Sequence, residues 1–198
     1  MKLANRLITF LAALVVSVSA AATTPKEISR DLETRNNDML SALIELKQND
    51  ALDSDAALAL MREEISPLLN FSKITQRALG KHWRRASNEE KKRIIAAFQQ
   101  LLEKTYAKVL TKYDDQKTEI VKAKQQENGE ILVVMNVRGK DKSARIDYLF
   151  AGDEPRIIDV KVEGISLIAN FRRQFGRMIN KVGFDGLAKM LEKMVAQP

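Results

Sequence analysis

Residues 131–162 read ILVVMNVRGKDKSARIDYLFAGDEPRIIDVKV, and this stretch decides the fold. Apolar and polar side chains alternate along much of it with the period of two that is typical of β-strands. Turn residues at 139–142 and 152–155 separate its apolar runs. A weaker strand at residues 118–124 precedes it and ends in the turn Glu127-Asn128-Gly129. Four short consecutive strands with tight turns predict an antiparallel meander.

Helical patterns lie on both sides of this predicted sheet. The segments Thr24 to Glu27 and Ser87 to Glu90 each have the form of a capping box, so a helix is expected to begin at both. The second helix has a continuous apolar stripe from Ile94 to Tyr113, which is typical of a central core helix or of a helix that lines a cavity. Residues 165–195 are helical in pattern, with a break at Gly183. This order favours an α+β fold in which helices pack on one face of a four-stranded antiparallel sheet.

The first 22 residues have the pattern of a secretion signal. Two basic residues precede an apolar run at residues 7–18, and Ala20 to Ala22 offer the small side chains of a signal-peptidase site. The run is about a dozen residues long, short of the roughly 20 that span a bilayer, so an uncleaved anchor is the less favoured alternative. We expect export, cleavage near Ala22 and a single domain over residues 23–198.

The 198 residues include one histidine, His82, and no cysteine. This composition excludes disulfides, thiolate metal sites, a cysteine nucleophile and a lipid-modified cysteine, and it removes the usual ligands of zinc. The sequence also has no G-x-S-x-G elbow and no glycine-rich phosphate loop. We therefore predict no metal, no cofactor and no catalysis. An exported enzyme on a cone-shaped α+β fold remains the alternative.

Positive charge is in excess, with 33 Lys and Arg against 26 Asp and Glu. The cations cluster at residues 81–85, 91–93 and 172–181. Such clusters can follow a nucleic-acid backbone, but export makes a nucleic-acid partner unlikely. They are more typical of a solvated helix face, or of a surface drawn to anionic headgroups or acidic partners.

Several separated motifs resemble the MlaC family, the periplasmic phospholipid-binding components of the Mla lipid-asymmetry system, also known as toluene-tolerance auxiliary proteins. Residues 163–167 (EGISL) and 170–175 (NFRRQF) are followed by residues 183–187 (GFDGL). Upstream, residues 79–87 (LGKHWRRAS) precede a ladder of Phe98, Leu102, Tyr106 and Tyr113. The resemblance covers roughly residues 27–195.

This resemblance implies a soluble periplasmic carrier whose only bound molecule is its cargo, one glycerophospholipid. The acyl chains would lie in an apolar cavity between a curved sheet and the helices. The carrier would shuttle between an outer-membrane lipoprotein and porin complex and an inner-membrane ABC transporter complex, and so maintain lipid asymmetry. An exported adaptor or chaperone that binds protein through an apolar groove is a further alternative.

Candidate contacts with the acyl chains follow from position in the predicted elements, with core packing as the alternative for each. Those on the sheet are Met135, Val137, Ile146, Tyr148, Phe150, Val160 and Val162. Those on the helices are Phe98, Leu102, Tyr106, Ile165, Ile168 and Phe171. The candidates for the mouth, where a phosphate would stay solvated, are Lys161, Arg172 and Arg173.

Overall fold

The computed structural model describes residues 23–112, 116–140 and 143–197, so the predicted signal peptide lies outside the described residues. The helices are α1 (Pro25–Gln48), α2 (Ser54–Leu60), α3 (Phe71–Leu79), α4 (Asn88–Leu110) and α5 (Leu167–Ala196). A π-helical turn (Met61–Ile65) and a 3-10 turn (Ser66–Leu68) join α2 to α3, and a 3-10 segment (Gly80–Arg85) follows α3. The strands are β1 (Lys117–Gln125), β2 (Ile131–Arg138), β3 (Ser143–Ala151), β4 (Arg156–Val162) and β5 (Ile165–Ser166).

Both predicted capping boxes are present. The Thr24 hydroxyl accepts a hydrogen bond from the Glu27 amide at 3.3 Å, and the Glu27 carboxylate accepts one from the Thr24 amide at 2.7 Å. The same reciprocal pair joins Ser87 and Glu90 at the start of α4. Two amides that lack a helical partner are thus satisfied at each site, which fixes where α1 and α4 begin.

The sheet has five antiparallel strands in the order β1-β2-β3-β4-β5, which confirms the α+β class and corrects the strand count from four. The helical pattern of residues 165–195 predicts a helix where β5 lies. Glu163 and Gly164 have positive φ angles of 50° and 77°, and this turn pairs Ile165 with Val162. A strand of two residues is too short to produce an alternating pattern, so the sequence carries no periodic signal for it.

Two large apolar cores hold the helices and the sheet. The sheet core lies between α1 and one face of the sheet, and its buried members are Ile28, Leu32, Ile131, Val133, Met135, Phe150 and Ile157. The helical core joins α3, α4 and α5. Leu69 packs against both cores, and the Asn70 amide donates a hydrogen bond to the Ile157 carbonyl at 2.9 Å. The helical core therefore joins the sheet at the β4 edge, whereas α1 covers a face.

The chain bends inside α5 at Gly183, where the sequence predicts a break. Gly183 has φ 73° and ψ −175°, a conformation that is essentially confined to glycine. Over residues 23–112, 116–140 and 143–197, no helix combines the length and the hydropathy required to cross a bilayer.

Candidate functional site

The register of the sheet arranges apolar side chains in rows across the face that α1 contacts. Cross-strand partners share a face of a pleated sheet, so each row follows from the pairing. The inner row is Gln125, Ile131, Phe150 and Ile157. The middle row is Ala123, Val133, Tyr148 and Val160. The outer row is Ile120, Met135, Ile146, Val162 and Ile165.

Exposure rises along the middle and outer rows from β2 towards β5, whereas Ile131, Phe150 and Ile157 of the inner row are all buried. Val133 and Met135 on β2 are buried, at 0% and 2% exposure, whereas Val162 and Ile165 are 37% and 65% exposed. Ile146, Tyr148 and Val160 lie between these extremes, and so does Val137, which pairs with Thr118 and Ala144 one row beyond the outer row. We call the six partly or fully accessible side chains the open apolar face: Val137, Ile146, Tyr148, Val160, Val162 and Ile165.

The position of α1 explains why this face is open. α1 packs against β1 and β2, and its Asn36 side chain donates a hydrogen bond to the Thr118 hydroxyl on β1 at 2.6 Å. Thr118 pairs with Val137, so this contact lies at the margin of the open apolar face. Contiguous exposed apolar side chains are uncommon in soluble proteins and mark interaction sites.

Tyr148 lies in the middle row of this face. The side chain is half-buried, and this desolvation raises the pKa of the phenol to about 12, because the protein around it disfavours the charged phenolate. Its hydroxyl forms no hydrogen bond with any residue that the structure describes. The ring thus contributes apolar surface, and the hydroxyl remains available as a donor.

The predicted helical contacts lie elsewhere, apart from Ile165, which is on β5. Phe98 is completely buried in the helical core, with the rings of Phe171 and Phe175 edge-on at centroid distances of 4.8 and 4.9 Å. Leu102 and Ile168 are buried in the same core, and Tyr106 packs against it. The structure therefore brings the sheet candidates together and separates them from those on α4 and α5. Their roles as lipid contacts stay predictions.

The space between α1 and the sheet contains packed side chains, including the predicted contacts Met135 and Phe150. A cleft of about 440 Å³ lies instead among the helices and is lined by Arg62, Ser66, Ala96, Gln99, Gln100 and Glu103. Sequence analysis did not identify this polar cluster. The buried Glu103 carboxylate accepts hydrogen bonds from Arg62, Ser66 and Gln99 at 2.9–3.1 Å, so it connects the turns after α2 to α4.

The three candidates for the mouth do not converge on the open apolar face. Lys161 alternates with Val160 and Val162 along β4, and it therefore belongs to the opposite face of the sheet, across from Asp147. The Arg172 side chain donates a hydrogen bond to the Arg77 carbonyl at 2.7 Å. Arg173 donates one to Asn170. In the described part of the chain, no group of three or more His, Asp or Glu side chains is placed to hold a metal ion.

Comparisons with known proteins agree with this architecture. A family model described as "MlaC protein" matches residues 33–193. The intermembrane phospholipid transport system binding protein MlaC of Haemophilus influenzae is 24% identical over 153 residues, or 74% of this chain and 72% of that protein. A phospholipid-binding protein from Ralstonia solanacearum, solved in complex with a phospholipid, superposes with a TM-score of 0.75 at 23% identity, over 85% of this chain and 97% of that one. The structural similarity shows a shared fold, and the family match spans most of the sequence: the chain belongs to the MlaC family.

Proposed function

We propose that the protein is a phospholipid carrier that holds one glycerophospholipid by its acyl chains against the open apolar face. The contiguity of six accessible apolar side chains on β2 to β5 is the observation that carries this proposal. The name of the H. influenzae relative and the phospholipid bound to the R. solanacearum protein support a lipid as the cargo.

The energetics explain why a protein surface is needed. Two acyl chains contain about 30 methylenes, and exposing each to water costs about 0.8 kcal/mol, so a free lipid would cost on the order of 20–25 kcal/mol. A carrier lowers this cost by covering the chains with apolar side chains. Release into a bilayer is then nearly neutral, and transfer needs no covalent step.

Membership of the family supports a place for the protein between two membranes. We propose that the protein works in the periplasm, between an outer-membrane lipoprotein and porin complex and an inner-membrane ABC transporter complex, and that this exchange maintains outer-membrane lipid asymmetry. The resemblance of the motifs and the words "intermembrane phospholipid transport system" in the name of the relative support this placement.

We further propose a division of labour among the candidate residues. The open apolar face contacts the acyl chains directly. Met135 and Phe150, which lie behind α1, would be reached only if α1 moved. The burial of Phe98, Leu102 and Ile168 in the helical core favours a packing role for them.

Native mass spectrometry of gently purified protein tests the proposal, together with Val160→Glu. The wild type should carry the added mass of one diacyl lipid. Val160→Glu should fold and lose at least about tenfold in lipid affinity, because a carboxylate among acyl chains is desolvated without a partner. Val121→Glu is the matched control, since Val121 is 48% exposed at the β1 bulge and should retain lipid. The proposal would be overturned if wild-type protein from lipid-replete cells carried no lipid. It would also be overturned if the lipid occupancy of the two variants were equal.

Other measurements distinguish the carrier from the two alternatives, an adaptor or chaperone and an enzyme. An adaptor or chaperone would bind unfolded peptides, and the peptides would compete with lipid. An enzyme would need an acid or base beside the bound lipid, whereas the open apolar face consists of Val and Ile side chains and Tyr148. Turnover of a bound lipid ester would favour the enzyme.

A further inference from the structure

Two segments of the chain contain cations and no carboxylate. Residues 65–86 include five Lys or Arg and no Asp or Glu, and residues 164–184 include four Lys or Arg and no Asp or Glu. The remainder of the chain contains all 26 acidic residues. The charge excess of the protein is therefore concentrated in these two segments.

The fold places the two segments side by side, because α5 packs against α3 and the 3-10 segment. A methyl group added at Gly80 would lie 3.2 Å from the Arg172 side chain, and one at Gly176 would lie 3.8 Å from His82. Lys81 and Arg84, three residues apart in a 3-10 helix, share one stripe. Arg173 and Arg177 are one turn apart on the exposed side of α5. We call the six exposed cations of this region the basic face: Lys81, Arg84, Arg85, Arg172, Arg173 and Arg177.

The charges of the basic face are not neutralised within the fold. None of the six forms an ion pair with a described residue, and the nearby cation that does is Arg77, which pairs with Glu130 at 3.0 Å. Burial, together with Lys81 and Arg85, lowers the pKa of His82, so the imidazole is neutral near pH 7. The positive potential of this region therefore comes from Lys and Arg alone.

The composition of this face distinguishes a bilayer from a protein as its partner. Stable protein interfaces are enriched in Arg, but they also have an apolar or aromatic centre from which charged residues are depleted. The exposed large apolar side chains of the described residues all lie outside residues 80–85 and 172–177. Trp83 packs against the helical core, with the Lys91 ammonium 5.0 Å from its ring centroid. Attraction to an anionic leaflet requires only clustered cations.

From the packing of two carboxylate-free segments into one unpaired cationic surface, we infer that the basic face docks the protein onto the headgroups of anionic phospholipids in a bilayer. The basic face shares no residue with the open apolar face, so the two surfaces can be altered by separate substitutions. Each Lys or Arg near an anionic leaflet contributes roughly fivefold in affinity. The attraction weakens as salt screens it.

Vesicle flotation tests this inference. The protein is purified from cells that produce it, and its N-terminus is determined by mass spectrometry. The vesicles contain phosphatidylcholine alone or mixed with phosphatidylglycerol, at low and high salt. The wild type should bind the mixed vesicles at low salt. The double variant Arg173→Glu/Arg177→Glu should bind at least about tenfold more weakly. The matched control, Lys122→Glu/Lys124→Glu on exposed positions of β1, makes the same change in net charge and should bind much more strongly than the first variant.

Native mass spectra of the same samples show whether cargo occupancy has changed. Equal losses of vesicle affinity in the two double variants would mean that binding depends only on net charge. That result would overturn the inference. Equal binding to both kinds of vesicle would also overturn it. Wild-type protein that binds neither vesicle but binds an acidic protein would assign the face to a protein partner instead. None of these results depends on whether the protein carries a lipid.

Discussion

At the scale of single residues, the partial burial of Tyr148 makes the stability of the fold depend on pH. The pKa of its phenol is raised from an ordinary value near 10 to about 12. The folded state therefore favours the neutral phenol, so this contribution to stability is complete below pH 10 and is lost as the pH rises from 10 to 12. Each pH unit in that window reduces the free energy of unfolding by about 1.4 kcal/mol.

We expect Tyr148→Phe to lose less stability than the wild type between pH 10 and 12, by up to about 2 kcal/mol. Urea unfolding at several pH values measures the difference. Ultraviolet titration provides a control, because the late-ionising phenol should be missing from the spectrum of the variant. If both proteins lose stability in parallel over this pH window, the fold does not desolvate the Tyr148 phenol enough to raise its pKa.

The positions on the sheet could be predicted because alternation is a local property. Val160 and Val162 share a face by the pleat alone, and the observed register places Tyr148 on the same face. The stripe of α4 was equally clear in the sequence. Which core that stripe enters depends on how three helices meet, and no local pattern encodes this. Phe98 and Leu102 therefore lie in the helical core and not against the sheet.

At the scale of elements, the course of α5 depends on Gly183. Its φ of 73° with ψ −175° is strained for any residue that has a Cβ, and no atom lies within 4 Å of a methyl group added there. We expect Gly183→Ala to reduce the free energy of unfolding by roughly 1–3 kcal/mol through backbone strain alone. Denaturant unfolding measures this loss.

Gly176 of the same element provides the matched control. A methyl group there would be in ordinary contact with His82 at 3.8 Å, and the backbone is helical. Since alanine is favoured over glycine in a helix, Gly176→Ala should be neutral or stabilising by up to about 1 kcal/mol. Equal stability of Gly183→Ala and the wild type would contradict the account of the bend.

The limits of the helices were predicted best where side chains cap them. Thr24 and Ser87 mark the starts of α1 and α4, because their capping hydrogen bonds span only three residues of sequence. β5 was missed because two residues cannot form a period. The attachment of the helical core at the β4 edge was missed as well, because Leu69 and Ile157 meet through a single bridge between distant segments.

At the scale of the whole molecule, the two cores suggest which part must move to accommodate a lipid. The helical core is continuous through α3, α4 and α5, whereas α1 adds only a few buried residues to the sheet core. The open apolar face continues beneath α1 towards Met135 and Val133. Displacement of α1 would therefore extend this surface over most of the sheet.

Cross-linking α1 to the sheet tests that movement. The side chains of Asn36 and Thr118 are in direct contact, and the sequence contains no cysteine, so Asn36→Cys/Thr118→Cys can be joined by a short thiol cross-linker that reduction removes. Cross-linked protein should exchange labelled phospholipid several-fold more slowly than the same protein after reduction. Arg93→Cys/Glu192→Cys, bridged by a longer reagent of the same kind because the ion pair joins the ends of two long side chains, links α4 to α5 as the control and should leave the rate unchanged. An unchanged rate with α1 tethered would mean that the tails bind at the open apolar face while α1 stays in place.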